Sequence, residues 1–434
     1  MKRSKCLEKL GDCPFLLFLP FLFVYLAIVV VMSGHVHDGD APRYFFYAQN
    51  LVDGYFTDRD CVDIWNGPGY PILLMPIVFF GLPHIFATIL NAVFQYLSVV
   101  FLYKCVRMVS NVKYAIVCAI FWACYYPVIY VMRVALSESV TNLLIVLLCF
   151  FALKAFKESG FRVSAKYLIA AGVTFGALTL TKVIFGYTFP ILIAIGLLLF
   201  AILKSRRTEI LKCLTISALG FVVCIPWLAY THSVTGKPFF WAASGGENLF
   251  WASLKPDAPY AVIPRCKNES FNWDRAVRDF EAPVHPDLQQ IVQTANSLSQ
   301  IDADAYLKKL AVENIKKNPV NYVQKIVMNV SEFLFASRSG KGWYVIAFII
   351  PHAPIFTFAI FALPATLFNI RRINVSILFL LLIASIYCAG SVLLLPLQRQ
   401  FMIVVPTLLI WFAYIYSRTV KVRLSIESDD ENIR

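Results

Sequence analysis

The feature that most constrains the fold of this chain is a series of apolar blocks, each long enough to cross a lipid bilayer. A helix rises about 1.5 Å per residue, so roughly 20 apolar residues span the hydrocarbon core. Such blocks occur at 14–32, 84–104, 114–132, 138–156, 166–183, 187–204, 211–230, 344–369, 374–395 and 398–417. The sequence therefore predicts an all-α polytopic membrane protein with about ten transmembrane helices and both termini on one side.

Composition excludes a soluble globular protein. Apolar residues make up 59% of the 434 residues, and charged residues make up only 15%, whereas soluble proteins carry about 25% charged residues. The formal net charge of +13 does not indicate nucleic-acid binding, because the basic residues lie in short connections between apolar blocks. We therefore expect the lipid bilayer as a partner and no nucleic acid.

The distribution of Lys and Arg predicts the orientation. The connections on the side of the N-terminus are rich in basic residues, whereas the short connections on the opposite side carry only Arg43, Arg59, Arg133, Lys182 and Arg399. Cytoplasmic loops of membrane proteins carry the excess of Lys and Arg. Both termini are therefore expected in the cytoplasm, and the first apolar block, which lacks a small-residue cleavage site, is expected to remain as an uncleaved span.

This orientation leaves two long segments on the outer side, 33–83 and 231–342. Within the first, Tyr70–Gly81 is too short to span the membrane comfortably and is interrupted by prolines, so we expect a helix lying at the outer surface. The predicted divisions are a transmembrane module at 1–230 with the first outer loop, an outer segment with surface helices at 231–342, C-terminal transmembrane helices at 343–418, and a disordered cytoplasmic tail at 419–434.

The second outer segment contains the pattern of two helices that meet at Pro319, within 302–335. Leu307 and Ala311 share an apolar face of the first, and Val323 and Val327 continue the pattern in the second. Such helices would lie along the membrane surface, with packing favoured over substrate contact as their role.

The cysteines and histidines give no indication of a bound metal. Only Cys61 and Cys266 fall in the outer segments, where they could form a disulfide or remain free thiols. No His/Cys cluster has the spacing of metal ligands. The sequence therefore indicates no certain cofactor, and a divalent metal stays open without support from ligand spacing.

One carboxylate, Glu138, falls inside a predicted span, at the outer end of the fourth. Ionisable residues in membrane segments are costly and are usually retained for a function. A carboxylate at a helix start also complements the helix dipole. The position of Glu138 alone leaves both interpretations open.

The outer ends of several predicted spans carry charged residues at one membrane depth. Asp38 and Asp40 follow span one, Arg133 and Lys182 end spans three and five, and Arg399 begins span ten. A site for an anionic lipid-linked substrate needs such a set, with cations for the phosphate and a carboxylate for acid–base chemistry. We therefore expect these side chains to share a site.

Asp40 stands directly before a predicted helix, in the sequence DAPRY (40–44). Pro42 suits the first turn of a helix, and an aspartate just before that turn is a good N-cap. Asp40 could therefore be a capping residue on a surface helix, or a general base held by that helix start.

The motif DAPRY, placed after the first span, resembles the first outer loop of the glycosyltransferase C (GT-C) superfamily. Within that superfamily, the closer resemblance is to the bacterial branch related to protein mannosyltransferases and to the aminoarabinose transferases of lipid A modification. Further similar stretches follow in order: NGPGYPILLMP (66–76), SES (137–139), LTKVIFGYTFP (180–190), SGGENLFW (244–251) and PLQRQFMIVVP (396–406). The resemblance extends to about residue 410 and implies a GT-C architecture.

The resemblance implies an enzyme that uses a polyprenyl-phosphate sugar on the non-cytoplasmic face. It matches Asp40 to the catalytic base, Glu138 to an acid that supports the site, and Lys182 to a group near the lipid phosphate. The sequence departs from the family where Ala41 replaces a second acid, and where a lysine is missing before Gly67–Tyr70. These departures leave the sugar and the acceptor unspecified.

The sequence thus predicts a single inverting displacement in which Asp40 accepts the proton of an acceptor hydroxyl. The candidates for binding the donor phosphate are Lys182, Arg133, Arg399 and Arg43, and the candidate substrate contacts are Asp38, Tyr44, Tyr70, Glu247 and Asn248. The acceptor would be a cell-envelope glycan or lipid, such as lipopolysaccharide, or a protein, and the family branch favours the bacterial inner membrane. A flippase for lipid-linked glycans, a glycan ligase or polymerase of similar topology and a non-catalytic scaffold are the alternatives.

Overall fold

The structure is a computed structural model, and it describes residues 13–59, 62–255, 286–335, 342–394 and 396–419. Cys61, Cys266 and nearly all of the predicted tail lie outside these ranges. The α-helices, in chain order, are α1 Pro14–Leu17, α2 Leu19–Val31, α3 Ala41–Val52, α4 Gly69–Phe79, α5 Ile85–Val109, α6 Val112–Ala123, α7 Tyr126–Met132, α8 Glu138–Lys157, α9 Phe161–Thr181, α10 Thr188–Ile202, α11 Arg207–Thr235, α12 Gly245–Ser253, α13 Pro286–Ser297, α14 Gln300–Lys317, α15 Pro319–Phe335, α16 Gly342–Phe368, α17 Val375–Leu393, α18 Gln398–Phe401 and α19 Val405–Thr419. The protein is all-α over the described ranges, as predicted.

Within the described ranges, seven helical segments are long and apolar enough to cross a membrane. They are α5, α8, α9, α10 with the 3₁₀ turn before it, α11, α16 and α17, and the bent pair α6–α7 would make an eighth. The prediction of ten spans is not confirmed. The first predicted block is divided between α1 and α2, and the last between α18 and α19, so that each piece is shorter than a full span.

The third predicted span is broken rather than straight. Its two halves, α6 and α7, are bent by 46° at a short break. Pro127 lies in the first turn of α7, and a proline in that position cannot donate a backbone hydrogen bond to the preceding turn. The hydrophobic pattern continues across this break, so hydropathy alone reads the two helices as one span.

The apolar stretch in the first outer segment forms α4, which has 11 residues. At about 1.5 Å per residue it is roughly 16 Å long, which is too short to cross a bilayer. The structure thus agrees that this stretch does not span, and its place at the outer surface stays a prediction.

The helices pack around two apolar cores. The main core joins α3 and α4 with the helices that are long and apolar enough to cross a membrane. A smaller core joins α12, α13 and α14. Leu307 and Ala311 are buried in this smaller core beside Phe250 and Trp251. The two predicted helices at 302–335 are confirmed as α14 and α15, which meet at Pro319, and the apolar face of α14 serves packing.

Helix α15 has the reverse of the polarity expected for a helix in water. Its buried face carries Lys325, Asn329 and Glu332. Its valine face, formed by Val320, Val323, Val327 and Val330, is exposed, with Val320 at 66% and Val327 at 65%. Because apolar surface of this extent is costly in water, we expect the valine face to lie in lipid.

The four-part division of the chain stays a prediction.

A photoreactive benzoylphenylalanine in place of Val327 tests this placement in proteoliposomes. We expect it to cross-link to phospholipid, because Val327 lies at the centre of the valine face. The same substitution at Val312, which is exposed on the neighbouring helix α14, is the control and should give little lipid adduct. Equal lipid adducts at the two positions would contradict the placement of α15.

Candidate functional site

Four segments that are distant in sequence bring charged side chains to one end of the helix bundle. Asp40 directly precedes α3, Glu138 is the first residue of α8, Lys182 directly follows α9, and Arg399 lies in α18. Chain direction explains the meeting, because α8 starts and α9 ends at the same end of an antiparallel helix pair.

Arg399 is the centre of the cluster. Its Nη2 donates a hydrogen bond to Oδ2 of Asp40, and its Nε lies 3.3 Å from Oε1 of Glu138. Lys182 donates from Nζ to the same Glu138 oxygen at 2.8 Å, and Nη1 of Arg43 lies 3.4 Å from Oδ1 of Asp40. One guanidinium therefore joins the two carboxylates, and each carboxylate contacts a second cation.

Burial within the cluster is graded. The Glu138 side chain is 1% exposed, whereas Lys182 is 18%, Arg399 21% and Asp40 30% exposed. Glu138 is therefore the most deeply buried group of the cluster, and the other three side chains are partly exposed. Buried charges interact more strongly than charges in water because the surrounding dielectric constant is lower.

Asp40 occupies the N-cap position of α3, but its side chain makes no capping hydrogen bond to a backbone N–H of the first turn. The capping interpretation is therefore not supported by the geometry. Burial raises the pKa of the Asp40 carboxyl, but the charge and hydrogen bond of Arg399, with the charges of Arg43 and Lys182, outweigh that effect, so its pKa lies below its usual range. Asp40 is ionised at neutral pH in this arrangement.

The stretch NGPGY (66–70) supports the cluster through a close backbone contact. A Cβ atom on Gly67 would lie 2.1 Å from the carbonyl oxygen of Leu180, and one on Gly69 would lie 2.5 Å from Oγ1 of Thr181. Only glycine allows this approach. The start of α4 is thus pressed against the last residues of α9, directly before Lys182.

Two buried tyrosines stand beside the acids. The rings of Tyr44 and Tyr70 meet edge to face with their centroids 5.0 Å apart. The Tyr44 hydroxyl shares a hydrogen bond of 3.0 Å with Ser137 Oγ and accepts one of 3.3 Å from Asn66. Tyr44 therefore ties α3 to the residue before Glu138.

A second network, which the sequence analysis missed, joins the first outer loop to α14. The buried Asp63 accepts hydrogen bonds from the Tyr47 hydroxyl at 2.7 Å and from Gln300 Nε2 at 3.0 Å. Its charge also stabilises the cationic form of Arg43, whose guanidinium lies over the Trp65 ring. Asp63 and Gln300 are 237 positions apart, and no local pattern in the sequence marks them as partners.

The remaining predicted site residues make other contacts. Arg133 donates to the Tyr130 carbonyl and lies over the Tyr130 ring, and Asp38 is exposed and paired with His35. Glu247 and Asn248 belong to α12, and the backbone N–H of Glu247 donates to Asp304. The contacts described for these residues do not join them to Arg399, and their predicted roles stay predictions.

Among the described residues, no group of three or more His, Cys, Asp and Glu side chains is arranged to hold a metal ion. The acids of the cluster are instead paired with Lys and Arg.

No protein-family model matches the chain, and no curated protein sequence matches it. Solved structures do. The archaeal oligosaccharyltransferase AglB from Archaeoglobus fulgidus, in complex with an inhibitory peptide and a dolichol-phosphate, matches with a TM-score of 0.50 and 12% identity over 92% of this chain and 50% of that chain. The chain has the GT-C fold. It spans about half the length of AglB.

A second similar structure is that of ArnT from Cupriavidus metallidurans bound to undecaprenyl phosphate. Its TM-score is 0.43, with 13% identity over 92% of this chain and 77% of that chain. The fold predicted from the resemblance of the motifs is confirmed by the match to AglB.

Replacement of Glu138 by Gln tests the cluster as a structural unit. Removing one partner of a buried ion pair costs about 3–5 kcal/mol, because the remaining charges lose their compensation. Glu138→Gln should therefore lower the thermal unfolding temperature of the purified protein strongly. Glu209→Gln is the matched control, since Glu209 is also in the first turn of a helix and should cost only the dipole contribution of about 0.3–1 kcal/mol. Equal losses would mean that Glu138 serves only the helix start.

Proposed function

We infer that this chain is a membrane glycosyltransferase that moves a sugar from a polyprenyl-phosphate donor to an acceptor hydroxyl on the non-cytoplasmic face. The observation that carries the inference is the contact of Arg399 with both Asp40 and Glu138 beside Lys182. Acid–base and phosphate-binding groups from four segments thus meet at one partly open site. A site of this kind supplies both requirements of glycosyl transfer from a lipid phosphate.

Lys182 and Arg399 are the groups that would hold the donor phosphate. An ammonium has three N–H donors and a guanidinium has five, and the contacts with the two acids use only some of them. Both side chains are partly exposed, so their remaining donors can reach a ligand. Arg43 contacts the second carboxylate oxygen of Asp40. The contacts described for Arg133 are with Tyr130.

The reaction is a single displacement at the anomeric carbon. The acceptor oxygen forms a bond to that carbon while its proton passes to the Asp40 carboxylate. The bond from the anomeric carbon to the phosphate oxygen breaks, and the phosphate leaves with the electron pair. Attack opposite the leaving group inverts the configuration, and Lys182 and Arg399 stabilise the charge that develops on the phosphate.

Donor binding would also prepare Asp40 for its role as a base. In the structure Arg399 donates a hydrogen bond to Asp40 and forms an ion pair with Glu138, and its contact with Asp40 lowers the pKa of that carboxyl. A phosphate at Arg399 competes with Asp40 for the same guanidinium. The Asp40 carboxylate then regains basicity only when a donor is present, which favours proton transfer near neutral pH.

The membrane supplies the second half of the donor site. The polyprenyl tail would lie in the bilayer beside α4, where Ile72, Met75 and Phe79 are exposed and the helix start contacts α9 next to Lys182. The opposite ends of the spanning helices carry the basic connections, so the positive-inside rule puts the site outside the cytoplasm. We place the protein in a bacterial inner membrane, with lipopolysaccharide, another envelope glycan, a lipid or a protein as acceptor.

The shared fold supports this assignment. The AglB structure that matches this chain contains an inhibitory peptide and a dolichol-phosphate, which is a lipid phosphate. The support concerns the kind of donor and leaves the sugar and the acceptor to experiment.

Two alternative functions make different demands on the structure. A flippase for lipid-linked glycans needs polar binding groups near the bilayer midplane, commonly at broken helices in matching halves, whereas the ion-paired cluster here lies at one end of the bundle. A glycan ligase or polymerase would use the same end of the bundle with a lipid diphosphate donor. The donor requirement therefore separates the ligase from the transferase.

Reconstituted protein incubated with a labelled polyprenyl-phosphate sugar and candidate acceptors tests the assignment. We expect labelled product, and Asp40→Asn should lower its rate of formation by about 10²–10⁴-fold, which is the usual contribution of a general base. The thermal unfolding temperature of the variant should show that the protein is folded.

Asp53→Asn is the matched control, because Asp53 lies at the other end of α3 and contacts Gln49. It should transfer sugar at the parent rate. Full activity of Asp40→Asn would remove Asp40 from its role as base, and movement of labelled lipid across the bilayer without product would indicate a flippase.

A further inference from the structure

Arg399 lies in a helical turn that is too short to be stable on its own. Helix α18 comprises only Gln398–Phe401, a single helical turn. The turn has internal support, since the Gln400 side chain accepts a hydrogen bond of 3.2 Å from the backbone N–H of Leu397. Isolated turns of this length are unstable without tertiary contacts. The position of the Arg399 guanidinium therefore depends on the elements that contact the turn.

Side chains of α15 form hydrogen bonds with the segment that enters this turn. Asn329 is fully buried, and its Nδ2 donates to the carbonyl oxygens of Val392 at 2.9 Å and Leu394 at 3.0 Å. The Tyr322 hydroxyl donates to the carbonyl oxygen of Leu393 between them, at 2.9 Å. These three consecutive carbonyls end α17, where a helix has no backbone donors of its own for them.

The same helix packs against the end of the turn. The Phe333 ring packs edge to face against Phe401, with the centroids 5.5 Å apart. Phe333 lies four residues after Asn329, so the two side chains share one face of α15. One face of one helix therefore holds the chain on both sides of Arg399.

We propose that Asn329 is a positioning residue for Arg399: its two hydrogen bonds to the end of α17 set the place from which the guanidinium reaches both Asp40 and Glu138. An amide nitrogen has two N–H donors, and both are used here. Leu at this position retains the volume but removes both donors, and Asp has a similar shape but presents acceptors to carbonyl oxygens. The consequence for catalysis rests on the proposed glycosyltransferase function, whereas the consequence for the Arg399–Asp40 contact does not.

The first experiment measures that contact without any substrate. Thermal unfolding is recorded for Asp40→Asn, Arg399→Gln and the double variant, in the parent chain and in Asn329→Leu. In the parent, the loss in the double variant should be smaller than the sum of the single losses, because the two residues interact. In Asn329→Leu the losses should become additive, and a coupling as large as that of the parent would overturn the proposal.

Asn314→Leu is the matched control background. Asn314 is a part-buried asparagine on α14 whose side chain donates to Ser253 Oγ at 3.2 Å, away from Arg399. It should lose stability and still keep the Asp40–Arg399 coupling. If Asn329→Leu does not fold, Asn329→Ser keeps a single hydroxyl donor at this position and should reduce the coupling, and an undiminished coupling there would overturn the proposal.

The second experiment measures sugar transfer. Asn329→Leu should lower kcat by about 10- to 100-fold, because a displacement near 1 Å of a catalytic group has effects of this size. Combined with Arg399→Lys it should add little further loss, whereas Asn314→Leu should combine additively. Additive losses with Asn329→Leu would overturn the positioning role. A parent chain that transfers no sugar would refute the proposed function, and the unfolding experiment would still decide the role of Asn329.

Discussion

Two carboxylates at the ends of apolar helices are sustainable only if cations meet them there, and Arg399 meets both. Burying an unpaired carboxylate costs several kcal/mol or more, so the contacts of Glu138 with Lys182 and Arg399 are a condition of the fold. Arg399 also contacts Asp40, so that the proposed base and the two proposed phosphate-binding groups, Lys182 and Arg399, lie in the same cluster. The electrostatic requirement of the fold and the chemical requirement of the proposed reaction therefore coincide in one cluster.

Contacts outside this cluster hold its residues in position. Gly67 and Gly69 let the first outer loop approach the end of α9 beside Lys182, and Tyr44 ties α3 to Ser137 beside Glu138. Helix α15 connects the outer segment to the turn that carries Arg399. The same helix exposes the valine face that we expect to lie in lipid, so one element would contact both the bilayer and the turn.

Hydropathy and charge placement were sufficient to predict the helical membrane fold and the meeting of Asp40, Glu138, Lys182 and Arg399, because charges at the ends of spans share a membrane depth. They were insufficient where tertiary contacts decide. The bend between α6 and α7 follows from Pro127, which interrupts hydrogen bonding and leaves hydropathy unchanged. Arg133 lies at the end of a predicted span as the other charged residues do, but it lies against Tyr130, and Asp63 and Asn329 contact partners far away in sequence.

The proposed function requires this cluster to bind the phosphate of a lipid-linked donor. A structure of the protein in lipid with bound polyprenyl phosphate tests it most directly. We expect phosphate oxygens within hydrogen-bonding distance of Lys182 Nζ and the Arg399 guanidinium, with the contact between Arg399 and Asp40 lengthened. A phosphate bound elsewhere, with the pairs of Arg399 and Lys182 unchanged, would contradict it.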